Sequence, residues 1–281
     1  MLLYKTMYYA AINNQFMPAA DAKLQVSDLA IHRGYAIFDF FKTIGGAPVF
    51  IEDHLDRFYG SAQAMRLNVN YNCDELKASV RKLMDKNNLP DSGIRLTLTG
   101  GFSEDGYTLA KSNLIITQQE IKVKPLNNDG IKLITYPHLR QFAGAKTIDY
   151  QMAIWLQPQM REQGADDILY HHNNIVRECP RSNFFIVTHN NEVLTTGTDV
   201  LNGIIRKQVL GLTVDGFTVA ERNVTLDDIR NCAEAFITST TKNILPVTQI
   251  DGRTIGDGKA GQITTLLSEK IEDLITAHTG W

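Results

Sequence analysis

The sequence predicts an α+β fold in two domains. Three observations lead there. Its 281 residues are long for one ordinary core and short for three. Two amphipathic helices stand among strands in the first 120 residues. Beyond them strands and helices follow one another without the regular alternation of a doubly wound sheet. We place the smaller domain at residues 1–120, a linker at 121–135 and the larger domain at 136–281.

Tyr8 to Ile12 and Phe16-Met17 flank Asn13-Asn14-Gln15 and read as a hairpin, because these polar residues tolerate turn geometry. Glu52 to Leu67 sets Leu55, Phe58, Ala62 and Met65 at helical spacing, and Asp74 to Leu89 repeats this with Leu76, Val80, Leu83 and Met84. Ile94 to Thr99 alternates as a half-buried strand does, with Ile94, Leu96 and Leu98 on one face and Arg95, Thr97 and Thr99 on the other. Residues 100–106 form a Gly-rich loop, and Leu114 to Thr117 returns as a strand. From Glu120 to Gly130, Lys, Pro, Asn and Asp dominate without periodicity, as in a linker. Ile168 to Tyr170 with Ile175-Val176, and Phe184 to Thr188 with Val193 to Thr195, read as hairpins around His171-His172-Asn173-Asn174 and His189-Asn190-Asn191-Glu192. Helices are predicted over 150–163, where Pro158 is out of place, and over 203–212 and 263–276. Strands are predicted over 217–221, 235–238 and 247–250.

Composition narrows the function. Residues are 43% hydrophobic and 21% charged, and no window reaches the roughly 18 apolar residues of a membrane span. The net charge of −3 has no basic run, so neither nucleic acid nor membrane is an expected partner. Three scattered cysteines, and no h-region with a cleavage site near Met1, predict a reduced, cytoplasmic protein acting on small molecules. The chain lacks GxxxxGK[ST], GxGxxG after a strand, HExxH and GxSxG. His171-His172 lie in a turn where their side chains would not converge, so no metal is expected. No lysine stands out as a Schiff-base former from the residues alone, because that needs a desolvated pocket.

Four segments, in order, resemble the class IV (fold type IV) aminotransferases, the group of branched-chain aminotransferases, D-amino acid aminotransferases and aminodeoxychorismate lyase. They are His32-Arg33-Gly34-Tyr35 with Phe38-Asp39; Asp53-His54-Leu55-Asp56-Arg57-Phe58; Ala145-Lys146-Thr147-Ile148-Asp149-Tyr150; and Arg177-Glu178 with Asn183-Phe184-Phe185. Asn202-Gly203-Ile204-Ile205-Arg206, Thr238-Ser239-Thr240-Thr241 and Leu245-Pro246-Val247 extend the likeness along nearly the whole chain. The resemblance implies a small N-terminal α/β sandwich, a larger β-rich pseudo-barrel domain with helices, and pyridoxal 5′-phosphate (PLP) as cofactor. It also implies a homodimer whose subunits complete each other's active sites.

By this resemblance Lys146 would bind the cofactor covalently and shuttle the substrate's α-proton; its plainer reading is a surface lysine. Glu178 would accept from the protonated pyridine nitrogen, against an exposed strand-end carboxylate. Arg57 lies on the helix face away from Leu55, Phe58 and Ala62, and would clamp the phosphate with its fork rather than be a solvated arginine. Gly203-Ile204-Ile205 open a predicted helix whose N–H groups suit a phosphate, although Ile205 stands where many relatives have threonine. Thr240 is the hydroxyl candidate from the other side. Tyr150 would approach the cofactor's phenolic oxygen, or simply pack.

The substrate pattern is uneven. The Arg-x-His pair of the best-known D-amino acid aminotransferases is missing from Gly101 to Tyr107. The branched-chain Tyr-x-Arg is half kept as Gly93-Ile94-Arg95, and Gly106-Tyr107 matches the loop end of aminodeoxychorismate lyase. Arg33, Arg95 and Thr241 are the candidates for substrate carboxylates. Two arginines would suit a 2-oxo dicarboxylate such as 2-oxoglutarate; the plainer reading of Arg33 is a pair with Asp28 or Asp39. The pattern resembles D-amino acid transaminases lacking Arg-x-His. A branched-chain L-amino acid donor, a lyase eliminating pyruvate, and a non-catalytic PLP-binding relative are the other readings.

Overall fold

A computed structural model of the protein describes residues 8–121 and 129–280. By its internal contacts the chain forms two compact units. One comprises Met1–Lys122, Ala145–Asp149 and His278–Trp281; the other comprises Val123–Gly144 and Tyr150–Ala277.

The first unit opens with the predicted hairpin, β1 (Tyr9–Ile12) and β2 (Gln15–Pro18). Its turn is only Asn13-Asn14, whose φ values of 50° and 64° are the left-handed values such a turn demands, and Gln15 already pairs with Ile12. After a short α1 (Leu29–Arg33) come β3 (Ala36–Ile44) and β4 (Ala47–Pro48). α2 (Ile51–Ala64), α3 (Cys73–Asn87), β5 (Ser92–Thr99) and β6 (Leu114–Glu120) complete the unit. Its sheet runs β2-β1-β6-β5-β3-β4 with antiparallel neighbours.

Ile37, Phe41, Ile94, Leu96 and Leu98 on one sheet face pack with Leu55, Phe58 and Ala62 of α2 and with Leu76, Val80 and Leu83 of α3. Fully burying each large apolar side chain contributes about 1.5–3 kcal/mol. α3 starts with a capping box, Asn72 accepting from the Glu75 N–H while Glu75 accepts from the Asn72 N–H. β3 was not predicted: it is buried on both faces over most of its length, so it shows no alternation.

The second unit begins with β7 (Ile131–Pro137), which contains five residues of the expected linker, 131–135; residues 122–128 of that linker lie outside the described residues. β7 is fixed by non-local parallel pairing, with β8 (Asp167–His172) and with a strand over 100 residues away, which local composition does not reveal. The predicted helix over 150–163 is two short ones, α4 (Gln151–Trp155) and α5 (Gln157–Glu162). Pro158 sits in the first turn of α5, where its missing N–H costs nothing. β9 (Ile175–Val176) closes a hairpin on β8 in which both histidines belong to the strand and only Asn173-Asn174 turn, at φ 49° and 62°.

β10 (Glu178–Cys179), β11 (Ser182–Val187), β12 (Glu192–Thr195), α6 (Ile204–Leu210), β13 (Thr218–Glu221) and α7 (Leu226–Arg230) follow. β14 (Glu234–Ser239), β15 (Asn243–Ile250), β16 (Arg253–Thr254) and α8 (Gln262–Thr279) end the chain. Ten strands form a mixed sheet, β13-β12-β11-β14-β15-β7-β8-β9, with β10 beside β11 and β16 beside β15. Leu133, Leu169, Phe184, Ile186, Ile237 and Val247 lie in its core. The fold class is α+β, as the sequence predicts. No helix among the described residues is long and apolar enough to cross a membrane.

Candidate active site

In the first unit the chain returns at Ala145–Asp149 to lie along β3. The Phe38 N–H donates to the Lys146 carbonyl at 2.8 Å, and the Ile148 N–H donates to the Ala36 carbonyl at 3.1 Å. The Lys146 N–H donates to Ser61 Oγ of α2 at 3.1 Å, and Ala145 is buried in the core. Lys146 is thus pinned on both sides of its backbone while its side chain remains half-buried. Its Nζ lies 4.7 Å from the centroid of the Phe38 ring.

The Arg95 guanidinium lies over the same ring, Cζ 3.7 Å from the centroid, and Arg95 Nε donates to Thr97 Oγ1 at 3.3 Å. Phe38, Phe40, Arg95 and Thr97 share the sheet face opposite the core, which follows from the pairings Phe38↔Thr97 and Phe40↔Arg95. A Cβ on Gly93 would collide with Phe40 Cζ. The Phe40 ring therefore fills the space above Gly93.

Arg57 does not simply project from α2. Its Nε and Nη2 donate to the two oxygens of Asp39 at 2.8 and 2.9 Å, and His54 Nδ1 sits 2.7 Å from Asp39 Oδ1. Burial pushes the Asp39 carboxyl up, but Arg57 and His54 outweigh it and hold the group well below the usual carboxylate range. Burial pushes the His54 imidazole down, with Asp39 opposing and Arg57 and Lys146 reinforcing.

Arg33 is exposed and donates to its neighbour's carbonyl, that of His32, at 3.0 Å. It pairs with neither suggested carboxylate: Asp28 caps α1 and accepts from Thr99 and Asn113, while Asp39 is taken by His54 and Arg57. The guanidinium lies beside Gly106.

In the second unit Glu178 is 5% exposed. Its Oε1 accepts from Arg140 Nε at 2.9 Å and Nη2 at 2.6 Å, and its Oε2 accepts from the Leu201 N–H at 3.0 Å and Asn183 Nδ2 at 3.4 Å. Asn183 Nδ2 also donates to the Leu201 carbonyl at 2.7 Å, and Asn183 Oδ1 lies where a Cβ on Gly203 would be. Any side chain there would have to displace the Asn183 amide. Residues 201–203 are thereby fastened to Glu178 and deliver the start of α6, where Gly203 is the N-cap and no side chain caps the helix.

Ile204 and Ile205 open α6 with buried side chains, so their backbone N–H groups are what they offer. α6 packs on β14, beyond which Thr240 is half-buried and Thr241 exposed in the turn to β15. Tyr150 is half-buried at the N-cap of α4.

The structure thus gathers Lys146 with Arg95 on one ring, and Glu178 with the start of α6. Arg140, Asp39, His54, Phe40 and Asn183 join the candidates. Asp39, His54 and Asn183 lie inside the four segments quoted above and could have been weighed there; Arg140 stands in no local pattern.

The fold defines the class first. The chain matches a solved T.th. branched-chain amino acid aminotransferase, complexed with N-(5′-phosphopyridoxyl)-L-glutamate, with a TM-score of 0.86 at 25% identity, over 98% of this chain and 95% of that one. The family described as Amino-transferase class IV matches residues 36–250, and the chain belongs to it. It is 32% identical over 277 residues to a Methanocaldococcus jannaschii protein whose name assigns it provisionally to the branched-chain-amino-acid aminotransferases, covering 94% of this chain and 96% of that protein. It is 27% identical over 276 residues to the D-alanine aminotransferase of Bacillus licheniformis, covering 95% and 97%.

Proposed function

We propose that the chain is a PLP-dependent transaminase that moves an amino group from an amino acid, D-amino acids favoured and branched-chain L-amino acids second, to a 2-oxo acid such as 2-oxoglutarate. The observation that carries the reading is the pair of cations, Lys146 and Arg95, on the Phe38 ring. An amine that must attack a carbonyl and a fork that suits a carboxylate belong together in amino-acid chemistry.

The donor set fits the cofactor. Glu178 is a buried carboxylate able to face a protonated ring nitrogen, and the uncapped first turn of α6 offers N–H groups to a phosphate dianion. When bound, PLP supplies a carbonyl for the amine and a ring that takes up the electron pair left when the α-proton departs. In this reading Lys146 holds the cofactor and moves the proton between the substrate's α-carbon and the cofactor carbon. Arg57, Ile204, Ile205 and Thr240 serve the phosphate, and Tyr150 approaches the phenolic oxygen. Arg95, with Arg33 and Thr241, orients substrate carboxylates. Asp39 accepts from Nε and Nη2 of Arg57, and this would hold the guanidinium in place for a phosphate.

We take the assembly to be a homodimer, supported by exposed apolar residues on the first unit: Val26 at 77%, Tyr107 at 81%, and Ile31, Phe102 and Leu109. A cytoplasmic location accords with Cys73, Cys179 and Cys232, all free thiols.

The test is to load the protein with PLP, add D-alanine, D-glutamate, L-leucine or L-glutamate singly, and follow the cofactor's absorbance. Conversion to the amine form by one donor identifies that donor and its hand. The elimination reading, which rests on Gly106-Tyr107, requires product without consumption of any oxo acid and no conversion by these donors.

A further inference from the structure

One cation without a role above is paired directly with Glu178: Arg140. This residue follows β7, and the chain around it is tied back because Nη2 donates to the Ala143 carbonyl at 2.7 Å as well as to Glu178. Its side chain is 13% exposed and that of Glu178 is 6% exposed. The guanidinium is therefore fixed by a backbone contact and aimed at one carboxylate oxygen by two hydrogen bonds, while the other oxygen takes Leu201 and Asn183.

If Glu178 serves the cofactor's ring nitrogen, two sites compete for one proton, the carboxylate and the nitrogen. A buried carboxylate without a counter-charge favours its neutral form, because desolvation penalises the anion. The Arg140 guanidinium, which gives two of the four hydrogen bonds that Glu178 accepts, works against that preference, and so do the Leu201 N–H and Asn183 Nδ2. We infer that Arg140 is a positioning residue that acts through Glu178, holding the carboxylate anionic so that the shared proton stays on the ring nitrogen. This rests on the reading of Glu178 given above, and it assigns to Arg140 the electronic state of the cofactor rather than its binding.

The test uses protein loaded with PLP labelled with 15N in the ring. Wild type should show the resonance of a protonated nitrogen. Glu178→Gln should lose it, and retention there would sink the reading of Glu178 itself. Given that loss, Arg140→Gln should also move the resonance to the unprotonated position, while Arg140→Lys, which keeps the charge, should largely retain the protonated one. A folded, loaded Arg140→Gln that keeps the protonated resonance overturns the inference.

Should Arg140→Gln fail to fold, melting of the cofactor-free proteins decides. An unpaired buried Glu178 would then be the cause, and adding Glu178→Gln should restore folding by removing the orphan charge. A double variant that still fails to fold would assign Arg140 to its Ala143 contact alone and overturn the inference.

Discussion

Arg57 and Asp39 are locked by two near-parallel hydrogen bonds, Nε to Oδ2 at 2.8 Å and Nη2 to Oδ1 at 2.9 Å, with Asp39 fully buried. Removing one partner of such a pair leaves a buried charge uncompensated. We expect Asp39→Asn to cost about 3–5 kcal/mol in the cofactor-free protein, read as a fall in the denaturant midpoint. It should also weaken PLP binding, because the guanidinium loses its fixed position. A variant as stable as wild type would show the pair to be replaceable by water.

The same cluster sets an acid limit on stability. His54 is held below its ordinary value of 6.5, so the unfolded chain takes up a proton that the folded one refuses, and stability falls as pH drops below about 6.5. His171, also depressed by burial, acts in the same direction. Asp39 is depressed below its ordinary 3.8, so its contribution is present above that value and disappears as pH falls further. Urea midpoints from neutral to acid pH should therefore decline in two stages. His54→Asn should flatten the first, and an unchanged first stage would contradict the assignment.

Gly93 lies under the Phe40 ring, and this gives a test by sign. Gly93→Ala should cost on the order of 1 kcal/mol, because the ring must leave its place. In a Phe40→Ala background the same change should be neutral or stabilise by up to about 1 kcal/mol, since alanine restricts the unfolded chain more than glycine does. Equal costs in the two backgrounds would show that Phe40 does not occupy that space.

The Arg95 guanidinium lies over the Phe38 ring, Cζ 3.7 Å from its centroid, and carries a planar fork that lysine lacks. Arg95→Lys should raise the KM for 2-oxoglutarate about 10- to 100-fold, about 1.4–2.8 kcal/mol, with a smaller change in kcat. Equal loss for oxo acids with and without a second carboxylate would place Arg95 at the carboxylate they share. Loss confined to 2-oxoglutarate would place it at the distal one.

How much of this was legible differs by element. β5 showed itself because Ile94, Leu96 and Leu98 alternate against Arg95 and Thr97, and α3 because its apolar stripe starts at a capping box. β3 and β7 did not, one because both faces are buried, the other because its partners are remote in sequence. Lys146 and Glu178 were found by resemblance alone. Nothing in the residues around Lys146 shows that its backbone is pinned to β3, since that contact spans more than 100 positions. Arg57 was read from the helix face, which gave its freedom but not Asp39, a residue from another element. Arg140 left no local trace: a single arginine after a strand becomes notable only when Glu178 is folded against it.

The central claim is that Lys146 carries the cofactor. Borohydride reduction of the PLP-loaded protein, followed by peptide mapping by mass spectrometry, tests it most directly. The account predicts one pyridoxyl mass, on the peptide containing Lys146, and none in Lys146→Ala. A label on a different lysine, or none in folded wild-type protein saturated with PLP, would contradict it.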